Sequence, residues 1–354
     1  MWIAPRALWA TALAVALAAP SAACGDDDDD GGGGGDGGDG QTTSDAGAGD
    51  AGGDGGGADA GPGADGGAGE TIALPGDAVY PEGVTSLADG TIFVGSAAQG
   101  TIFRVPPGAT SPESEAFAEG GDNGLVNTLG LYADEARGTL WACSSDLAGT
   151  SGIAPGLKAF DLATGEPTGS FDLPGGGICN DIAIDAAGNV YVTDSAAPRI
   201  LTLPAGGAAL ESWVEDDRFG GEGFNLNGIE VDGDAVYTVK FNTGDMFRIP
   251  IGEKGAPGVV LAVALERPLE SPDGLRREDD GTFIVVEGVG RLTRVALSGA
   301  AQQLTTLRGD LNGPTTATIV GDGAWVVEGQ IVHFSDPTTG PPDLPFQLVR
   351  VPLP

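Results

Sequence analysis

Between Cys179 and Ser195, apolar Ile182 and Ile184 alternate with small or polar residues, Gly188-Asn189 offers a reversal, and Val190, Tyr191 and Val192 lead to polar Thr193 and Asp194. Period-two alternation on both sides of a glycine turn predicts a β-hairpin, with Asn180 and Asp181 at its open end. The same pattern recurs from Glu82, Leu129, Asn180, Asn227, Asp273 and Pro314, with starts 41 to 51 residues apart. Periods of that length mark propeller blades. A third strand-like run follows each hairpin, at 101–105, 157–161, 200–203, 246–249, 292–295 and 331–334, and outer runs follow at places such as 169–173 and 259–263. Six units of four strands predict an all-β, six-bladed β-propeller over residues 71–354. A β-sandwich would have to explain six in-register copies by coincidence. No segment holds a long 3.6-residue period, so helices should be minor. Residues 70–74 and 346–353 both read as strands, and one of them should complete a blade begun by the other terminus; the pattern does not say which.

Ahead of the repeats the alternation disappears. Residues 1–23 carry Arg6, an apolar run from Leu8 to Ala19, and Ser21-Ala22-Ala23 before Cys24. This reads as a secretory leader, too short for a bilayer span. Small residues before a cysteine resemble the bacterial lipoprotein cleavage box, although Ser21 stands where that box usually has Leu. Lipidation of Cys24 is therefore expected, the alternative being cleavage after Ala23 with a free thiol left behind. Residues 24–70 are mostly Gly, Asp and Ala, with an unbroken run from Asp26 to Asp30. Such a segment buries too little apolar surface to order itself and should be a disordered acidic linker. Its aspartates lack the turn of an EF-hand loop.

Much of the formal net charge of −35 sits in that linker and says little about the folded part. With no basic cluster anywhere, the chain should not bind nucleic acid. The expected protein is exported, monomeric, and lipid-anchored in the bacterial cell envelope, at the periplasm or cell surface, touching the membrane through the anchor only. An exported chain permits a disulfide between Cys143, at the end of the second strand of blade two, and Cys179, before the first strand of blade three; two buried thiols are the alternative. His333 is the single histidine, which argues against histidine-rich zinc sites and a Ser-His-Asp triad.

In a propeller the innermost strand of each blade lines the central channel, so the six opening residues should ring one mouth. Glu82, Asn180, Asn227 and Asp273 can supply oxygen there. Two carboxylates with two amide carbonyls suit a hard cation, Ca2+ first, with Zn2+ or Mn2+ second because no His or Cys joins them. Taken singly, Asn and Asp are also simply favoured in the turns before strands.

These residues resemble the family of the senescence marker protein, gluconolactonase and luciferin-regenerating enzyme, which carries E-G-P, N-D-G, N-G-L and P-D-G in blades one, three, four and five. The corresponding residues are Glu82-Gly83-Val84, Asn180-Asp181-Ile182, Asn227-Gly228-Ile229 and Pro272-Asp273-Gly274, over a likeness spanning about 71–354. The resemblance implies a divalent cation held by Glu82, Asn227 and Asp273 with Asn180 beside it, and hydrolysis of a small lactone or cyclic ester. Asp273 would be the general base, since a carboxylate at the metal can reach a water bound there.

The chain also departs from the family. The second hairpin strands return to the same mouth and end at Ser96, Ser144, Asp194, Lys240, Glu287 and Glu328. Where members commonly have Asp-Ser in blade four, this chain has Val239-Lys240-Phe241. Lys240 is then either a surface lysine or a group that pairs with Glu287, Asp194 or a substrate carboxylate. Asp181, Lys240 and Glu287 thus join Asn180 as candidates for contact with substrate or with the ligands. The rival function is a non-catalytic, metal-stabilised propeller that binds a sugar, peptide or protein. Loops such as 219–224 should shape the pocket.

Overall fold

The computed structural model describes residues 70–279, 281–297 and 302–354. The predicted leader, Cys24 and all but the last residue of the predicted linker lie outside them. The chain begins with β1 (Thr71–Ala73) and then builds blade one from β2 (Pro81–Ser86), β3 (Ile92–Ser96) and β4 (Ile102–Val105). Blade two holds β5 (Asn127–Asp134), β6 (Thr139–Ser145), β7 (Gly156–Asp161) and β8 (Pro167–Asp172); blade three holds β9 (Cys179–Ile184), β10 (Val190–Asp194), β11 (Arg199–Leu203) and β12 (Glu211–Glu215). Blade four follows with β13 (Leu226–Asp232), β14 (Ala235–Lys240), β15 (Met246–Pro250) and β16 (Leu261–Ala262). Blade five is β17 (Pro272–Asp279), β18 (Thr282–Glu287), β19 (Arg291–Ala296) and β20 (Gln303–Arg308). Blade six is β21 (Pro314–Val320), β22 (Gly323–Glu328) and β23 (Gln347–Pro352), and β1 adds to it antiparallel to β23, with Thr71 opposite Val349. The N-terminal strand therefore closes the ring, and the protein is a six-bladed β-propeller.

Two expectations from the repeat need correction. Residues 331–334 are not the third strand of blade six but part of the helix α1 (Ile331–Ser335), and β23 is that strand. A four-residue apolar run fits one helical turn as well as a strand, and Gln330, at φ 50, turns the chain out of the sheet before it. Blade one has three strands, not four: residues 106–117 are rich in Pro and Ser, and only an isolated bridge from Ala118 to Ile102 occupies the outer place.

Each inner strand packs between the inner strands of its two neighbours, with β21 returning to β2. The alternating apolar residues fall into six clusters, one per seam between blades. Phe93, Leu131 and Phe160 fill the seam of blades one and two, and Tyr191, Phe219 and Phe247 that of blades three and four. Side chains of this size each contribute about 1.5–3 kcal/mol when buried. A disulfide between Cys143 of β6 and Cys179 of β9 ties blades two and three. The core is thus a ring of seams around an axis left free for polar groups.

Candidate functional site

The side chains facing that axis are set by a defect repeated in every blade. Along each inner strand the register with its neighbour slips by one residue just inside the mouth: between Pro81 and Val84, Thr128 and Leu131, Cys179 and Ile182, Leu226 and Ile229, Pro272 and Leu275, and Pro314 and Ala317. Such β-bulges re-aim a side chain out of the sheet. The first bulge residue is Glu82, Leu129, Asn180, Asn227 or Asp273 in blades one to five, as the repeat predicts. In blade six it is Thr315, not Pro314. Pro314 pairs with Glu328 as Pro272 pairs with Glu287, so it stands one residue outside the ring. Pro314 still lines the pocket wall.

The second bulge residue presses against the next blade. A Cβ on Gly83 would lie 2.0 Å from the carbonyl oxygen of Leu129, and one on Gly228 would lie 2.4 Å from that of Asp273. This close approach is why glycine follows the ring residue in most blades. Blades three and six instead carry Asp181 and Thr316. Thr315 Oγ1 donates to the carbonyl of Glu82 at 3.0 Å and Thr193 Oγ1 to that of Asn227 at 2.7 Å, so the ring is also stitched from blade to blade.

Deeper in the channel, Arg276 of β17 reaches across the axis. Its Nη1 donates to Asp181 Oδ2 at 2.9 Å and its Nη2 to the carbonyl of Val84 at 3.4 Å, joining blades five, three and one. Asp181 also accepts from the Ile229 amide at 3.3 Å. Asp181 is therefore occupied as the partner of Arg276, one layer beneath the ring.

At the ring itself partners run out. Five buried side-chain polar atoms lack a hydrogen-bond partner among the described residues, and three of them, Glu82 Oε2, Asn180 Oδ1 and Thr316 Oγ1, face one small cavity together with Asp181, Asn227 and Asp273. That cavity measures about 10 Å³, room for roughly one water-sized sphere. Burial, and then the charges of Asp273 and Asp181, raise the Glu82 carboxyl well above its ordinary range. Burial, and then the charge of Asp181, push Asp273 up to about 8, against a hydrogen bond from the Asn227 side chain and the charge of Arg276. The unmet acceptors of Glu82 and Asn180, beside Asn227 and Asp273, fit a hard cation, whose charge would offset the repulsion between the acids. Among the described residues no group of three or more His, Cys, Asp or Glu is placed to hold a metal, so a cation here would have to draw on amide oxygens as well.

Above this floor lies a pocket of about 160 Å³ whose walls include Leu129, Leu147, Phe224, Phe241, Val289 and Ile331. Phe224 brings the 219–224 loop to the pocket, whereas Phe219 is buried in the seam of blades three and four. Of the residues missed by the repeat, Arg276 left a trace as one of two adjacent arginines in an inner strand, one of which has to face the channel. Ser271, Leu147 and Phe241 lie in connections where no pattern marks them.

Two candidates are not brought to the pocket. Lys240 is neither a surface lysine nor a pocket residue: it is 5% exposed, and its Nζ donates to the carbonyls of Arg218 and Gly220 at 2.9 and 2.6 Å. Glu287 is fully buried and accepts from Arg267 twice at 2.8 Å, from Arg291 at 3.1 Å, from Thr293 Oγ1 at 2.6 Å and from the Glu270 amide at 2.6 Å. Burial alone would raise its carboxyl, but the bonds from Arg267, Arg291 and Thr293 hold it down at about 2.

No family model and no curated protein matches the chain. Solved structures do resemble it. The major allergen Mala s 1 of Malassezia sympodialis matches with a TM-score of 0.61 at 13% identity, over 80% of this chain and 96% of the other. A gluconolactonase from Xanthomonas campestris matches with 0.58 at 16% identity, over 80% and 89%, and a luciferin-regenerating enzyme with 0.57 at 12%, over 78% and 92%. At such identities the likeness establishes the propeller fold, and it includes the two enzymes whose family the blade motifs resemble.

Proposed function

We propose that this mouth is the active site of a divalent-cation-dependent hydrolase acting on a small lactone or cyclic ester. The observation that carries the reading is the meeting of partnerless Glu82 and Asn180 oxygens with Asn227 and Asp273 around a single one-water cavity at the base of a pocket. Glu82, Asn180, Asn227 and Asp273 would hold the cation, Ca2+ by preference and Zn2+ or Mn2+ as second choices. When bound, it would supply polarisation of the ester carbonyl and a lowered pKa for an attacking water. Asp273 borders both the small cavity and the pocket above it, so its carboxylate is the group that takes the water proton. The bulges and their tight glycine contacts fix these oxygens before substrate arrives, which limits reorganisation during the reaction. The fold shared with a gluconolactonase supports this reading. The Cys143–Cys179 disulfide supports an exported protein, and we read Cys24 as the lipid anchor that holds it at the envelope.

Calorimetric titration of the chelator-stripped chain with Ca2+, followed by a panel of lactones and aryl esters, tests the proposal. Stoichiometric binding with Ca2+-dependent turnover supports it. Bound Ca2+ without turnover across the panel would overturn the hydrolase and leave a metal-stabilised binding propeller.

A further inference from the structure

The polar and apolar groups of the pocket are separated by height. Every carboxylate and amide side chain that lines it belongs to the ring at its base, and the walls, drawn from blades two, four, five and six, are Leu129, Leu147, Phe224, Phe241, Val289 and Ile331. Two hydroxyls border it, Ser271 and Thr315, and Thr315 is already bonded to the Glu82 carbonyl. Among the described residues no lysine, arginine or histidine lines it. The nearest candidate of that kind from the sequence, Lys240, is committed to the carbonyls of Arg218 and Gly220.

We infer that the substrate has one carbonyl head and a plain apolar body, an alkyl- or aryl-substituted lactone or ester rather than a sugar lactone; the inference rests on the hydrolase reading above. A sugar lactone would bring several hydroxyls against walls whose one uncommitted side-chain hydroxyl is that of Ser271. Each hydroxyl buried unpaired weakens binding by about tenfold or more. An alkyl or phenyl body loses nothing there and gains about fourfold for each methylene taken out of water. The volume agrees: about 160 Å³ is close to the roughly 150 Å³ of an apolar cavity that accepts benzene, so a body of about six to nine carbons fills it. Val289 stands 40% exposed, an apolar rim that such a body would cover.

The test compares γ-butyrolactone, γ-hexalactone, γ-octalactone and glucono-δ-lactone on the Ca2+-loaded full chain. It also measures binding of the same four compounds by calorimetry to the Asp273→Asn variant, where turnover is suppressed. The expected result is kcat/KM rising about 250-fold from the four- to the eight-carbon lactone, with the sugar lactone below all three. Phe224→Ala should weaken the eight-carbon lactone about tenfold more than it weakens the four-carbon lactone. A flat alkyl series, or a preference for the sugar lactone, overturns the inference. If no lactone turns over, the hydrolase reading falls, and binding decides the rest: tighter binding of the eight-carbon lactone, relieved by Phe224→Ala, upholds the apolar pocket assignment, while tighter sugar binding or no binding of either overturns it.

Discussion

Glu82 and Glu287 are both buried at the same mouth of the propeller, on blades one and five, and the fold treats them in opposite ways. Around Glu287 stand Arg267, Arg291, Thr293 and a backbone amide, all donating. Around Glu82 stand Asp273 and Asp181, both of its own sign, whose effect exceeds that of Arg276, and among the described residues Oε2 accepts from nothing. Burial raises both carboxyls; at Glu287 the bonds from Arg267, Arg291 and Thr293 outweigh it and hold the group at about 2, whereas at Glu82 the neighbouring acids add to it. The difference lies in the partners, and it divides structural from functional charge: a satisfied buried acid holds loops together, whereas an unsatisfied one is a standing cost that a ligand can remove.

The strongest way to break that division is Asp273→Asn, which keeps the shape of the ring and removes its base. We expect kcat/KM to fall about a thousandfold, equivalent to about 4 kcal/mol. The cation-free variant should melt no lower than the parent, because one of the crowded acids has gone. Steady-state kinetics beside calorimetric melting reads both effects, and a variant that keeps its rate would remove Asp273 from the chemistry.

On the other side of the comparison, Glu287→Ala should cost about 3 kcal/mol in urea unfolding, since it strands Arg267 and Arg291 near each other. Calcium affinity should stay within a fewfold of the parent. The same cluster sets an acid limit. The folded carboxyl is depressed to about 2 from the ordinary 4.5, so its stabilisation is fully present above about pH 4.5 and is lost as pH falls toward 2. Urea midpoints measured from pH 5 down to 2.5 should drop in the parent and drop less steeply in Glu287→Ala.

Calcium itself should stabilise the parent by about 2.7 kcal/mol at a hundredfold excess over Kd, a rise of about 5 °C in melting temperature. Glu82→Gln should abolish most of that rise while melting at or above the parent without calcium. An equal calcium shift in the two proteins would place the cation away from the ring.

The division was only half legible in the sequence. The hairpin alternation fixes blades, order and inner strands, because a half-buried strand must repeat every second residue. It also points to Glu82, Asn180, Asn227 and Asp273, since each stands one residue inside the start of such a strand. It misplaces the blade-six member because Pro314, Thr315 and Thr316 carry no polarity contrast to mark where the bulge begins. Charge alone did not reveal that Asp181 is spoken for by Arg276, or that Glu287 is enclosed by two arginines, because both pairings join residues through folded geometry. The apolar walls come from connections between strands, where position is set by loop path and not by period.

Lys240 gives the smallest effect and the sharpest use of the comparison, since it is a third buried charge near the mouth. Burial lowers its pKa, yet two carbonyls receive its ammonium, which sets it on the satisfied side with Glu287. Lys240→Met keeps the length of the stem and removes those two bonds at the same time as the cost of burying the charge. Stability should fall by only about 1 kcal/mol, and kcat and KM for the preferred lactone should each stay within about twofold. A KM that rises tenfold with stability unchanged would move Lys240 to the substrate, and a buried charge with all its partners in place would then no longer be a sign of a purely structural role in this propeller.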